Sequence, residues 1–244
     1  MGEGLDDAAF RLWSYLAANP LAAITATLAA YVVGDAVWKA GGKRPILNPV
    51  LIAILLLAGA LWASGVSYAA YFEGAQFVHV MLGPATVALA VPLHRAASAI
   101  RRAAVPIFGA LVVGSLTAAG SAVGLAWAFG ASDALLATVA PKSVTTPVAM
   151  ALSEGLGGLP GLTAALVILT GVAGATFGSL TMDALRIRDF RARGFAMGLA
   201  SHGLGAARAL SVSRTAGAFA SLAMALNALA TAALLPLAWR LIFG

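Results

Sequence analysis

The sequence of 244 residues contains no cysteine, few charged residues and only three histidines. Without cysteine, disulfides and thiolate metal sites are excluded, and three scattered histidines do not suggest a metal centre, so we expect no metal and no other cofactor. Charged residues make up 10% of the chain, whereas a soluble domain usually carries about 25%. Because so few charges cannot cover a water-soluble globule, the composition excludes an ordinary soluble protein.

The chain is instead rich in long apolar runs: 61% of the residues are apolar and the mean hydropathy is +0.94. Six runs reach or approach the roughly 20 residues that a helix needs to cross a hydrocarbon core. These runs are Leu21–Val37, Ile46–Gly65, Gln76–Leu93, Val105–Phe129, Leu162–Met182 and Ala216–Trp239. The sequence therefore predicts an all-α, polytopic helical protein of the lipid bilayer with about six full spanning helices.

The net charge of +6 is explained by the positive-inside rule rather than by nucleic-acid binding, because the basic residues collect in short loops. Residues 1–19 are predicted to form an interfacial lead-in. Their acidic start, MGEGLDDAAF, lacks the basic segment of a cleavable signal peptide. Lys39, Lys43 and Arg44 follow the first spanning run, which predicts a cytoplasmic loop there and an N-terminus outside.

The stretch from Asp133 to Gly158 interrupts the apolar pattern. Two arms too short to span a bilayer flank the polar sequence Pro141-Lys142-Ser143-Val144-Thr145-Thr146-Pro147. Irregular backbone survives at membrane depth only where it is buried in protein or lines a water-filled cavity. If the stretch crossed the membrane, the arginines at 186–193 would lie outside, against the charge rule. We therefore predict a broken or re-entrant hairpin near 133–158; an ordinary polar loop between two helices is the alternative.

A second irregular polar segment lies near 195–212 and contains Ser201-His202-Gly203-Leu204-Gly205. These small and polar residues stand in an apolar context. We predict a second broken or re-entrant segment here, and a surface loop is the alternative.

Five pieces of the sequence together resemble the LrgB/CidB family of bacterial membrane proteins, which includes the C-terminal part of the plastidial glycolate/glycerate translocator. They are Asn48-Pro49-Val50-Leu51-Ile52, the run from Leu82 to Leu93, Pro141 to Pro147, Thr170 to Ala175, and Ser201 to Gly205. They lie in order and cover roughly residues 45–235, so we interpret residues 1–244 as one LrgB-like transmembrane domain. His94 and Ala206 depart from the family pattern, which has tyrosine and threonine there, and the lost hydroxyl bears on substrate preference.

The resemblance implies two classes of function. One is a secondary transporter or channel for small monocarboxylates such as glycolate, glycerate, lactate or pyruvate. The other is a holin- or antiholin-like regulator of murein hydrolase export and cell lysis, acting beside a small holin-like membrane subunit of the LrgA/CidA type. Either class implies a multi-pass protein of the bacterial cytoplasmic (inner) membrane, and we expect a homo-oligomer.

Lys142 is the only lysine outside the first cytoplasmic loop, and it interrupts an apolar segment. An ionisable residue at membrane depth is a functional candidate by default. Broken helices also direct backbone N–H groups and positive dipole ends at the gap, where an anion binds well. The alternative is that Lys142 reaches to an interface or pairs with Glu154.

His202 is a candidate for a protonation switch, because histidine titrates near neutral pH, so protons are a candidate coupling ion. The predicted contacts of a small carboxylate are Lys142, Ser143, Thr145, Thr146, Ser201, His202, Arg208, Thr86 and Asn48. No nucleophile elbow or supporting motif accompanies the serine, histidine and aspartate residues, so we expect no enzyme.

Overall fold

The computed structural model describes residues 20–243 apart from 43, 45–46, 82–83, 85–86 and 89. In this part of the chain the regular structure is helical, without a strand, which confirms the predicted all-α class. The chain divides into two compact units, residues 1–88 and 89–244.

In the first unit, α1 (Pro20–Ala40) packs against both α2 (Pro49–Ser64) and α3 (Tyr68–Val80). The hydroxyls of Thr27 and Tyr71 meet at 2.6 Å, which fixes α1 against α3.

The second unit contains the remaining described helices, and its elements follow the chain in order. They are α4 (Ala90–Arg95), α5 (Ala97–Arg102), α6 (Ala104–Ala128), α7 (Asp133–Val139), α8 (Thr146–Gly155), α9 (Pro160–Ala184), α10 (Phe190–Val212) and α11 (Arg214–Phe243). The helix α10 packs most extensively against α9 and α11.

Four of the six predicted spans are confirmed as helices long and apolar enough to cross a membrane: α1, α6, α9 and α11. The outer surface of α6 is apolar, with Val105 85% and Phe108 69% exposed, as a lipid-facing surface requires. The second predicted span is shorter than expected: α2 has 16 residues and begins at Pro49, because Asn48 caps it. The third, Gln76–Leu93, falls partly outside the described residues; α3 begins well before it and ends at Val80.

Hairpin 1, residues 133–155, consists of α7, an irregular tip at 140–145, and α8. Thr138 precedes the tip and Ser153 follows it, yet both contact Thr163 in the first turn of α9. The Thr163 hydroxyl lies 2.7 Å from Ser153 Oγ and 3.1 Å from the Thr138 carbonyl oxygen, and the Leu159 N–H donates to Thr138 Oγ1 at 2.9 Å. The chain therefore leaves this point at residue 138 and returns to it at residue 153, as the re-entrant prediction requires.

Replacing Thr163 with valine is expected to lower the free energy of unfolding by about 1–3 kcal/mol, because the isosteric side chain leaves buried hydroxyl and carbonyl groups unpaired. Thr117→Val is the matched control, since the Thr117 hydroxyl lies on exposed α6 and bonds only to a carbonyl of its own helix. Unfolding of both variants would be followed in detergent. Equal stability of the two would show that the buried hydroxyls do not hold hairpin 1 closed.

Hairpin 2, residues 190–212, is the helix α10 folded back on itself. The backbone turns at Ser201 (φ −132°, ψ 16°) and His202 (φ 41°, ψ −130°). Beyond the turn, Gly205 lies directly on the Met197 carbonyl, and Ala206 packs against the Met197 side chain. The second broken segment is thus confirmed, and the surface-loop alternative is wrong, because Ser201 and His202 are only 2% and 6% exposed.

Both hairpins pack against the helix α9. Its contacts, in order along the helix, are Thr163 with Ser153, Val167 with Val144, Gly174 with Ser201, and Asp183 with Arg193. The first two partners belong to the base and tip of hairpin 1, and the last two to the tip and base of hairpin 2. The hairpins therefore approach α9 from opposite ends, and their tips meet beside its middle.

Candidate functional site

The tip of hairpin 1 presents a lysine and three hydroxyl side chains at the start of α8. Ser143 is 7% exposed, while Lys142, Thr145 and Thr146 are partly buried. Thr145 occupies the N-cap position of α8, but its side chain makes no capping hydrogen bond. The positive end of the α8 dipole therefore lies within the same short stretch of chain, residues 142–146, as the lysine and these hydroxyls.

The Lys142 ammonium has no hydrogen bond or ion pair with any residue that the structure describes. Ion pairs in the described chain join Lys39 to Asp35, Arg191 to Asp189 and Arg193 to Asp183. The alternative pairing with Glu154 is not formed, because Glu154 is exposed at the far end of α8. A partly buried ammonium beside a helix start is an arrangement suited to an external anion.

The tip of hairpin 2 is held by the ring of His202. Its Nε2 lies 2.9 Å from the Val167 carbonyl, and because a carbonyl only accepts, Nε2 carries the hydrogen. A Cβ at Gly171 would lie 2.6 Å from the ring carbon Cε1, so only glycine leaves room for the ring there. The positive φ of His202 is a strained conformation for a residue with a side chain, and such strain often marks a functional site.

Asn227, in the middle of α11, contacts both tips, and the sequence analysis missed it. Its Nδ2 donates to the Ser143 carbonyl at 3.3 Å and to the Leu199 carbonyl at 3.1 Å. Its Oδ1 accepts a hydrogen bond from the Ser115 hydroxyl of α6 at 2.7 Å. The available signal was a lone asparagine inside an apolar run, since polar residues at membrane depth are costly and functional.

A small cleft, part of it open at the mouth, runs beside the tip of hairpin 1. Its polar lining comes from Ser115, Ser143, Asn227 and Thr231. The cleft encloses about 10 Å³, and a single water molecule needs roughly 10–15 Å³, so in this state it has room for about one water rather than for a solute.

The predicted contacts divide into three groups. Six of them lie at the two hairpin tips of the second unit: Lys142, Ser143, Thr145, Thr146, Ser201 and His202. Arg208 lies further along hairpin 2, in its returning arm, and is only half-buried. Asn48 belongs to the first unit, where its Oδ1 accepts the Val50 N–H at 2.8 Å as a helix cap, and Thr86 lies outside the described residues. The roles of all these residues in substrate binding stay predictions.

The base of hairpin 2 carries exposed charge. Asp189 caps α10 by accepting the Arg191 N–H at 2.8 Å, and hydrogen bonds from the Arg191 side chain hold the pKa of the Asp189 carboxyl below its usual range. Arg186 and Arg188 lie exposed in the same loop. This end of the hairpin is thus arginine-rich, as a cytoplasmic loop would be.

The family model of the LrgB-like family matches residues 27–241 of this chain. A Bacillus subtilis protein named uncharacterized protein YxaC is 40% identical over 84% of this chain and 89% of its own length. An uncharacterized Haemophilus influenzae protein is 34% identical over 82% of this chain and 87% of its own. Antiholin-like protein LrgB of Bacillus subtilis is 28% identical over 93% and 98% of the two chains. No solved structure matches the chain.

Proposed function

Because this multi-pass chain belongs to the LrgB-like family, we propose that it is a secondary transporter or channel for small monocarboxylate anions such as glycolate, glycerate, lactate or pyruvate. The observation that carries the proposal is Lys142, a partly buried ammonium at a helix break with no ion-pair partner in the described chain. Proteins retain such a charge at membrane depth where it serves a solute or ion pathway. We propose no enzymatic activity.

The carboxylate would bind in the gap before α8. Lys142 supplies a full positive charge, and the first-turn N–H groups of α8 add a partial one of roughly half an elementary charge. The hydroxyls of Ser143, Thr145 and Thr146 supply donors for the carboxylate oxygens. A neutral solute of the same size would gain none of the charge terms, so the site selects for an anion.

Alternating access would follow from the opposed hairpins. Withdrawal of the hairpin 1 tip would open the site towards one face of the membrane, and withdrawal of the hairpin 2 tip towards the other. Transporters with paired broken helices place their sites at such midplane junctions. His202 is the proposed proton-coupling group, because histidine titrates near neutral pH and its ring lies at the tip of hairpin 2, with Nε2 donating to the Val167 carbonyl.

The distribution of arginine supports an orientation in the cytoplasmic membrane. Ser115 of α6 meets Asn227 of α11, and Leu111 and Phe219, which lie closer to the start of each helix, pack together, so the two helices run parallel. The start of α6, the base of hairpin 2 and the start of α11 therefore share one end of the second unit. The arginines at this end are Arg101, Arg102, Arg186, Arg188, Arg191, Arg193 and Arg214. By the positive-inside rule this end is cytoplasmic; the external N-terminus stays a prediction.

An antiholin-like regulator is the second candidate function, and it is favoured by the name of the relatives called antiholin-like protein LrgB. Such a role would involve a small membrane subunit of the LrgA/CidA type and a homo-oligomer. It would not use a lone ammonium at a helix break, which is why transport ranks first.

The proposal is tested by reconstituting the purified protein in liposomes. We expect saturable uptake of labelled glycolate, glycerate or pyruvate, inhibited by an excess of the unlabelled anion and absent in protein-free liposomes. Glycerol and choline serve as neutral and cationic controls of similar size. Release of all these solutes alike, without saturation, would contradict a carrier and favour the lysis-related function.

A further inference from the structure

Asn227 satisfies the irregular backbone of both hairpin tips with a single side-chain amide. One acceptor, the Ser143 carbonyl, lies inside the tip of hairpin 1, where the backbone is not helical and no helical N–H donates to it. The other, the Leu199 carbonyl, would bond to the N–H of Gly203 in an uninterrupted helix, but the backbone turns at 201–202. Each break thus leaves a carbonyl to be satisfied, and the same NH₂ group donates to both.

The amide is held in place from its other side. The two carbonyls only accept, so they identify Nδ2 as the donor end of the amide, and the Ser115 hydroxyl donates to Oδ1 at 2.7 Å. Asn227 is 2% exposed, and its amide hydrogens and oxygen are already engaged. A side chain in this state is poorly suited to bind a solute and well suited to hold two segments together.

We propose that Asn227 is a positioning residue that couples the two hairpin tips, so that displacement of either tip weakens the hold on the other. When one carbonyl withdraws, the amide can follow it only by stretching the bond to the other tip or to Ser115. Val167 also lies beside both tips, because its side chain belongs to the buried cluster that contains Val144 of hairpin 1 and its carbonyl accepts a hydrogen bond from His202 Nε2. The coupling concerns the closed state of the hairpins and goes beyond the proposed function, since it holds for any solute.

The test uses single cysteines as reporters, because the chain has no cysteine of its own. Thr145→Cys reports on hairpin 1, where the side chain makes no capping bond. Gly203→Cys reports on hairpin 2, where an added Cβ has room, its nearest neighbour being the Met224 sulfur at 4.0 Å. The measured quantity is the rate of reaction with a maleimide in detergent, with no solute present.

We expect Asn227→Ala to raise the reaction rate of both reporters on the order of 5-fold or more, the lower end of the usual range of coupling between sites. Ser221→Ala is the matched control on the same helix, since the buried Ser221 hydroxyl bonds only to the Gly217 carbonyl of its own helix. The control should leave both rates unchanged. An increase at only one reporter, or an equal effect of the control, would overturn the proposal.

The coupling itself is read from a double-mutant cycle. His202→Gly loosens hairpin 2 by removing the bond to Val167. We expect it to raise the rate at Thr145→Cys more when Asn227 is present than in the Asn227→Ala background. An equal effect with and without Asn227 would overturn the proposal. If Asn227→Ala does not fold, Ser115→Ala removes the shorter of the two hydrogen bonds to Oδ1, leaving the one from Thr231 at 3.4 Å, and should give smaller increases at both reporters. No increase would again count against coupling. Because no transport is measured, failure here and failure of uptake are distinguishable.

Discussion

Replacing Lys142 with methionine is expected to weaken saturable monocarboxylate uptake strongly, mainly by raising its KM, while the protein stays folded. Methionine keeps most of the length and the apolar stem of lysine but removes the charge. A hydrogen bond to a charged group is worth about 1.5–3 kcal/mol, so the affinity for the anion should fall about 10- to 150-fold. Folding should not suffer, because the Lys142 ammonium has no ion-pair partner within the described residues.

Two variants make this prediction specific to the site. Lys142→Arg keeps the charge and should retain measurable uptake, with a changed KM because the guanidinium is larger and planar. Lys39→Met removes a lysine whose ammonium is exposed and pairs with Asp35 in the first unit, and it should leave uptake unchanged. Uptake of Lys142→Met at the wild-type rate and KM would move the anion site away from hairpin 1.

Replacing Gly174 with alanine is expected to displace the tip of hairpin 2 and to cost both stability and uptake. The added Cβ would overlap the Ser201 hydroxyl and lie 2.6 Å from Ser201 Cβ. Ser201 cannot turn away easily, because it is 2% exposed and adjoins the strained His202 backbone. Overpacking of this kind costs about 1–3 kcal/mol, which we would measure as the free energy of unfolding in detergent.

A control and a compensating change accompany this substitution. Gly120→Ala, on α6, meets no atom within 4 Å and should be neutral or stabilising by up to about 1 kcal/mol. Ser201→Gly removes the side chain that the new Cβ strikes, so the double variant Gly174→Ala with Ser201→Gly should regain stability. If Gly174→Ala alone were as stable as Gly120→Ala, the close contact of α9 with hairpin 2 would be wrong.

The break in hairpin 1 was predictable because two prolines and a lysine interrupt an apolar run within seven residues. The sequence favoured a re-entrant hairpin over a full crossing only indirectly, because a crossing would place the arginines at 186–193 outside. The contacts that produce it run from the Thr163 hydroxyl to the Ser153 hydroxyl and to the Thr138 carbonyl, and these groups are too far apart in sequence for any local pattern to reveal. Similarly, Pro49 indicated the start of a helix, but the sequence did not show that α2 is only 16 residues long.

The fold of hairpin 2 was harder to predict from the sequence. The small residues around His202 indicated irregular backbone, but they are equally typical of a surface loop. What decides between the two is the positive φ of His202 and the close approach of Gly205 to Met197, and neither leaves a periodic signal. Asn227 was hidden for a different reason: it lies in a spanning run whose average hydropathy is high, and averaging conceals a single polar residue.

The central claim is that the two hairpins enter the second unit from opposite faces of the membrane. It is tested most directly by single cysteines at Asp133, Glu154 and Arg188, labelled with an impermeant thiol reagent in vesicles of known orientation. We predict that Asp133→Cys and Glu154→Cys react only from the external face and Arg188→Cys only from the cytoplasmic face. Reaction of Asp133→Cys and Arg188→Cys from the same face, with Glu154→Cys reacting from the other, would show that residues 133–155 cross the membrane and would contradict the account.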